Sequence, residues 1–291
     1  MKWKYPESVS ECEWLVNNLD RDDIRIYDCT TYLHYADENP LKPYDVESGL
    51  KDYKVDHIPG AIFLDIQSQL SKKNSPYRFT LPKLDKLVDK FQEVGVGNPY
   101  HIILYSRNGM QWSARVWWML RAVGFDNVSI LNGGFIEWLR LGLATESKIN
   151  IVNPANFIFK PRPHIFVQKE KVIKSMNNKS VVLLNSLTED IYSGKNPRYG
   201  RRGRIPNSIN IPFNYLLDRV TGKFKPLEEI KLIFERKEIK KDQLILNYCG
   251  GGIAASLNGF ALLQLGFEDL QIYDNSMSEW AMDKTLPIET D

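Results

Sequence analysis

The sequence has little cysteine, no excess of either charge and no long apolar run, and each shortage excludes a class of protein. Three cysteines, Cys12, Cys29 and Cys249, cannot build a disulfide framework in 291 residues, and no two have the C-x-x-C spacing of a metal or redox motif. A net charge of +2, from 38 basic and 36 acidic residues, supplies no bulk field for nucleic acid or membrane. No apolar run approaches the roughly 20 residues that a membrane span needs. The opening MKWKYPESVSECEW has early acidic residues and no apolar core, so neither a secretory signal nor an Arg-rich transit peptide is expected. What remains is a globular protein, 43% hydrophobic and 25% charged, long enough for two domains and expected in a reducing cytoplasm.

The most informative stretch is LILNYCGGGIAAS at 244–256. Leu244 to Tyr248 reads as a buried strand, Cys249 ends it, Gly250 to Gly252 follow, and a helix opens at Ile253 and runs through Leu265. A thiol on a strand-to-helix turn, beside glycines that free backbone N–H groups, sits where an anionic sulfur is stabilised. The alternative is a buried structural cysteine beside a flexible turn, since free cysteine is among the most buried residue types.

Upstream, helices are expected at 11–19, 84–94, 113–123 and from Gly133-Gly134 through Leu139. Strands are expected at 24–27, 61–64, 101–105 and 128–131, with residues 41–56 a polar, irregular loop. This alternation indicates a parallel α/β sheet. Residues 146–163, with prolines at 154, 161 and 163, have no period and read as an interdomain linker. The same order then returns. RIPNSINIPF at 204–213 echoes HIPGAIFLDI at 57–66, Leu244–Tyr248 matches His101–Tyr105, and Trp280 lies 142 positions after its counterpart Trp138. Ser106 stands in the first copy where Cys249 stands in the second. A serine without a neighbouring base is a poor nucleophile, so chemistry is expected once per chain, in the second copy.

HIPGAIFLDI, RVWWMLRAVGF and LNGGFIEW, followed by GRIPNSINIPF, YCGGGIAAS and YDNSMSEW, resemble the tandem rhodanese-type sulfurtransferases of the thiosulfate and 3-mercaptopyruvate group over nearly the whole chain. The resemblance implies an α/β protein of two rhodanese-like domains, each a parallel sheet flanked by helices. The first, residues 1–145, is inactive and the second, residues 164–291, carries Cys249. It implies a Cys249 persulfide formed from thiosulfate or 3-mercaptopyruvate and passed to a thiol or cyanide-like acceptor, or to a protein such as thioredoxin, without metal or organic cofactor. Gly250, Gly251, Gly252, Ile253 and Ala254 would bind the persulfide. Arg198, in the basic run Arg198–Arg204, and Asp65 would meet substrate. Thiosulfate-preferring members place basic residues just after the cysteine, and mercaptopyruvate-preferring members a serine two after it. Gly250 and Gly251 occupy those positions here, and one expected arginine falls on Ile191, so the donor stays open.

Asp65 could equally cap a turn, His57 reads as a structural hydrogen-bonder, and Trp112, Trp117 and Trp118 as core or interdomain packing. Gly250-x-Gly252-x-x-Ala255 with Asp274 also meets a dinucleotide-binding pattern, but only 17 residues follow Asp274, too few for the remaining units of that fold. A Cys-x5-Arg phosphatase is disfavoured because the arginine position is Ala255. A persulfide carrier without turnover remains as a non-enzymatic alternative.

Overall fold

The structure, a computed structural model, describes residues 2–35 and 43–291. The first half runs β1 (Val9–Ser10), α1 (Cys12–Val16), β2 (Ile24–Asp28), β3 (Thr31–Tyr35), β4 (Tyr44–Ser48), α2 (Leu50–Tyr53), β5 (Ile62–Phe63), α3 (Ile66–Gln69), α4 (Leu84–Glu93), β6 (His101–Tyr105), α5 (Gln111–Ala122), β7 (Val128–Leu131) and α6 (Gly134–Arg140). The second runs β8 (Phe166–Val167), α7 (Lys169–Ser175), β9 (Val181–Asn185), α8 (Glu189–Tyr192), β10 (Ile209–Asn210), α9 (Leu227–Glu235), β11 (Leu244–Tyr248), α10 (Ile253–Gln264), β12 (Leu270–Tyr273) and α11 (Ser276–Trp280).

Each half forms a five-stranded parallel sheet, ordered β5-β2-β6-β7-β1 in the first and β10-β9-β11-β12-β8 in the second. The two orders are the same topology, as the repeat requires. The central strands β6 and β11 are apolar runs buried on both faces, the composition a parallel sheet selects. Smaller features repeat too. The Tyr105 hydroxyl accepts from the Ile58 N–H at 3.4 Å, and Tyr248 does the same for Ile205 at 3.2 Å. His57 pairs through its backbone with Glu146, and Arg204 with Glu289. His57 is buried, stacks on Tyr53 at 3.9 Å and shares a 2.6 Å hydrogen bond with the Tyr53 carbonyl, a structural role.

Two expectations need correction. Of the loop read at 41–56, residues 41 and 42 lie outside the described residues. The rest contains β4, paired antiparallel with β3 from Thr31–Ser48 to Tyr35–Tyr44, and then α2. The pairing partner lies upstream, so the short polar run carries no strong strand signal of its own. Residues 146–163 are irregular but not loose. The Asn98 N–H donates to Asn156, Ala155 to Gln92, Lys160 to Val123 and Arg162 to Ala122, which straps the segment onto the first sheet's helices. Gly97 and Gly124 permit this approach, since a Cβ on either would lie 2.1–2.2 Å from a carbonyl oxygen of the strap.

The halves share one core. Helix α10 is buried on all sides and packs against α5. Trp117 meets Phe260 edge-on at 4.9 Å, and the Trp118 indole N–H donates to the Ser256 carbonyl at 2.9 Å. Beside this contact Arg115 of α5, fully buried, donates to the carboxylate of Asp274 and the Phe79 carbonyl. The other Asp274 oxygen accepts from the Leu81 N–H, and the Asn275 amide oxygen accepts from the Thr80 hydroxyl. Replacing Arg115 with Met leaves a buried carboxylate without its cation. We expect urea unfolding to show a loss of about 3–5 kcal/mol, and a loss below about 1 kcal/mol would contradict this view of the interface.

Candidate active site

Strand β11 delivers Cys249 to the carboxyl edge of the second sheet, where open α/β sheets place ligands. The cysteine is 2% exposed. Its N–H donates to the Ser276 hydroxyl at 3.0 Å, and that hydroxyl donates to the Tyr273 carbonyl at 2.7 Å. Ser276 holds φ +50°, a left-handed conformation uncommon for a residue with a Cβ; its first-copy counterpart is Gly134, at φ +56°. The N–H groups of Met277 and Ser278 bind the carbonyls of Cys249 and Gly250 at 3.0 and 2.9 Å, pinning the loop from the α11 side. Among the described residues the N–H groups of Gly250, Gly251 and Gly252 have no protein acceptor. They line the turn into α10, whose positive end adds to their effect on an anionic sulfur.

The glycines are not equivalent. Gly252 precedes α10 at φ +74° and abuts Arg115 and the Asp274 carbonyl. A Cβ on Gly250 would lie 1.8 Å from the Tyr199 hydroxyl, so Tyr199 fills the space a side chain there would need. A Cβ on Gly251 would meet only the Tyr44 hydroxyl, at 3.3 Å, and more distantly the Arg78 carbonyl.

Above the loop lies a cavity of about 280 Å³. The second half lines it with Cys249, Gly250, Gly251, Ile253 and Ala254, joined by Leu187, Tyr199 and Phe213. The first half contributes Tyr32, Leu33, Tyr35 and Tyr44 from the β3–β4 hairpin, Phe79, and Asn108, Gln111 and Trp112 from the turn after Ser106. Burial pushes the Tyr44 phenol up to about 12 and Tyr199 well above its ordinary value, and the nearby Cys249 adds to both, so these phenols stay neutral. Ser106 itself is buried, its hydroxyl donating to the Gly109 carbonyl.

Of the residues expected from sequence, Cys249, Gly250, Gly251, Ile253 and Ala254 come together in the cavity wall. Gly252 stands behind it. Arg198 is not among the lining residues; its guanidinium lies 3.8 Å over the ring of Tyr35, which is. Its neighbours have other work: Arg201 binds the carbonyls of Asp283 and Leu286, Arg202 those of Gly194 and Lys195, and Arg204 the carboxylates of Glu289 and Asp291. Asp65 does not line the cavity, because its carboxylate caps α3 by accepting from the Ser68 N–H at 2.8 Å. Ile191 is buried in α8. Asp274, the acid of the dinucleotide pattern, is consumed by Arg115 and Leu81 and offers nothing to a ribose. The tyrosines and Ser276 were missed by sequence reasoning. Tyr199 was hidden inside a run read for its arginines, and the aromatic-rich TYLHY of β3 was the available signal for the hairpin.

This arrangement, a glycine-loop cysteine in the second of two like domains, defines a class. The rhodanese-like domain model matches residues 11–141 and 168–283, and the chain belongs to the rhodanese family. Among its relatives is the Arabidopsis thaliana thiosulfate/3-mercaptopyruvate sulfurtransferase 2, 29% identical over 97% of this chain and 86% of that protein. The human 3-mercaptopyruvate sulfurtransferase is 33% identical over 80% of this chain and 79% of that protein. The crystal structure of SseA from Escherichia coli, a 3-mercaptopyruvate sulfotransferase, is 27% identical and superposes with a TM-score of 0.77 over 92% of this chain and 98% of the other.

Two outcomes test the site. Burial, reinforced by Glu137, pushes the Cys12 thiol up to about 12, and burial carries Cys29 well above its ordinary value. Both remain protonated near neutral pH, so brief iodoacetamide treatment should alkylate Cys249 alone by peptide mass mapping, and comparable labelling of Cys12 or Cys29 would count against this. Second, Gly250→Ala should reduce kcat/KM by about tenfold or more by displacing Tyr199, whereas Gly251→Ala should change it less than about threefold. Equal effects would show that Tyr199 does not set the space above the loop.

Proposed function

We propose that the chain is a sulfurtransferase in which Cys249 carries sulfur from donor to acceptor as a persulfide. The observation that carries this reading is Cys249 at the end of the central strand, facing a cavity, on a loop whose three glycine N–H groups have no acceptor among the described residues. In the first half-reaction the Cys249 thiolate attacks the outer sulfur of the donor, and the bond from that sulfur to the rest of the donor breaks. Its electron pair leaves with sulfite from thiosulfate, or with a carbon fragment that takes a proton to become pyruvate from 3-mercaptopyruvate. In the second, an acceptor nucleophile attacks the outer sulfur of the persulfide and Cys249 departs as thiolate. The N–H groups of Gly250 to Gly252, with Ile253 and Ala254, hold the anionic sulfur through both steps.

Between the donors named for the relatives, the singly charged arm of 3-mercaptopyruvate suits this site better. Gly250 and Gly251 offer no cation to a dianion, the wall is aromatic, and Arg198, over the ring of Tyr35, would meet one carboxylate. The first domain, residues 1–145, supplies a cavity wall and no chemistry, and residues 164–291 react. Small-molecule donor and acceptor substrates fit the cavity; a thioredoxin-type protein acceptor would have to insert a thiol past Tyr35. No helix among the described residues is long and apolar enough to cross a membrane, and three free thiols suit the cytoplasm.

Mass spectrometry after incubation with either donor should find one added sulfur on Cys249, and Cys249→Ser should abolish turnover. With both donors compared on one preparation, kcat/KM for 3-mercaptopyruvate should exceed that for thiosulfate by at least about tenfold, the worth of one charge-assisted hydrogen bond. Full activity in Cys249→Ser would sink the mechanism. Release of only one equivalent of product per cysteine would make the protein a carrier.

A further inference from the structure

The cavity walls are unusual for a site whose donors are small anions. Tyr35, Tyr44, Phe79 and Trp112 form a continuous aromatic series, with centroid separations of 6.2, 6.4 and 5.3 Å. The middle pair lies nearly parallel, at 22°, and the outer pairs edge-on or steeply inclined, at 86° and 61°. Among the described residues no Asp, Glu, Lys or Arg side chain lines the cavity. The turn after Ser106, which is the first copy's version of the cysteine loop, supplies the polar groups. The Asn108 amide donates its N–H to the Thr31 carbonyl at 2.7 Å, and the Gln111 amide donates to the Asn108 carbonyl at 3.1 Å. These bonds leave both side-chain carbonyl oxygens buried and without a donor among the described residues, and the Trp112 indole N–H is likewise buried without an acceptor.

Amide oxygens are poor company for thiosulfate or a carboxylate, both of which present only acceptors. They suit a molecule that brings N–H donors, and the rings suit one that brings a flat unsaturated body. Resting on the sulfurtransferase reading, we propose that the sulfur acceptor is a heteroaromatic thiol whose ring carries an N–H beside the sulfur, seated on Tyr44 and Phe79 with that N–H toward the amide oxygens of Asn108 and Gln111. The transfer balances without an added oxidant or reductant. The acceptor, in its N–H thione form, attacks the outer sulfur of the Cys249 persulfide through its own sulfur, a new S–S bond forms, the bond to Sγ breaks, and the ring N–H proton passes to solvent. Cys249 leaves as thiolate with that electron pair, and the product is a heteroaryl persulfide anion.

The probe is pyridine-2-thiol, with 2-mercaptoethanol as an aliphatic comparator. Protein loaded with sulfur by 3-mercaptopyruvate is freed of donor and mixed with each, and loss of the persulfide is followed by mass spectrometry. We expect the discharge rate to saturate with pyridine-2-thiol and to stay linear with 2-mercaptoethanol. Tyr44→Leu, which removes a ring, and Gln111→Met, which removes an acceptor, should each lower the pyridine-2-thiol rate relative to the 2-mercaptoethanol rate by about three- to tenfold. Linear dependence on both thiols, or an unchanged ratio in both variants, overturns the proposal. If no persulfide forms at all, the sulfurtransferase reading fails separately. Titration of the unloaded protein then decides the pocket: saturable quenching of tryptophan fluorescence by pyridine-2-thiol, weakened in Tyr44→Leu, supports a heteroaromatic site, and its absence rules one out.

Discussion

The contact on which the site depends is the packing of α5 against α10, backed by the buried Arg115–Asp274 pair. A single rhodanese-like unit carries a reactive loop but only one wall. Because α5 begins at the end of the first copy's degenerate loop and α10 at the end of the cysteine loop, bringing the two helices together sets the loops facing each other. The guanidinium of Arg115 also touches the back of Gly252, so the tie between the domains and the backbone of the reactive loop are one structure. The charge pair gives direction to an interface that Trp117, Trp118 and Phe260 make adhesive.

Division of labour between the copies follows from that geometry. The second copy keeps the thiol and the unoccupied N–H groups. The first has a serine whose hydroxyl is turned back onto its own loop, and the residues after it, Asn108, Gln111 and Trp112, have become walls for the other domain's cavity. The β3–β4 hairpin, which the second sheet lacks, adds tyrosines above the sulfur. On the proposed reading, stabilisation of charge on sulfur is left to the backbone, and recognition of what lies beyond the sulfur would fall to aromatic rings from the other domain.

Much of the scaffold was legible in the sequence. Buried parallel strands are continuous apolar runs, so 101–105, 128–131 and 244–248 were read to the residue, and the repeat supplied the domain plan. The cysteine loop was legible because glycine and a lone thiol at a strand end carry a specific chemistry. The aromatic wall was not, because it is assembled from five separated segments and no local period records which rings converge. Arg201, Arg202 and Arg204 look identical to Arg198 in sequence; only the fold shows that Arg201 and Arg204 anchor the C-terminal segment and Arg202 the turn after α8, while Arg198 leans over Tyr35. The polar stretch around β4 failed for the opposite reason, since its strand character is conferred by its neighbour rather than by its own residues.

The fit of Tyr199 over Gly250 carries a historical consequence. A lysine or arginine at position 250 collides with a ring that is itself buried, so the two positions must change in order, the tyrosine first. A cation at position 250 is thereby excluded while Tyr199 stays in place, and the side chains free to vary around the sulfur are those of the opposite domain.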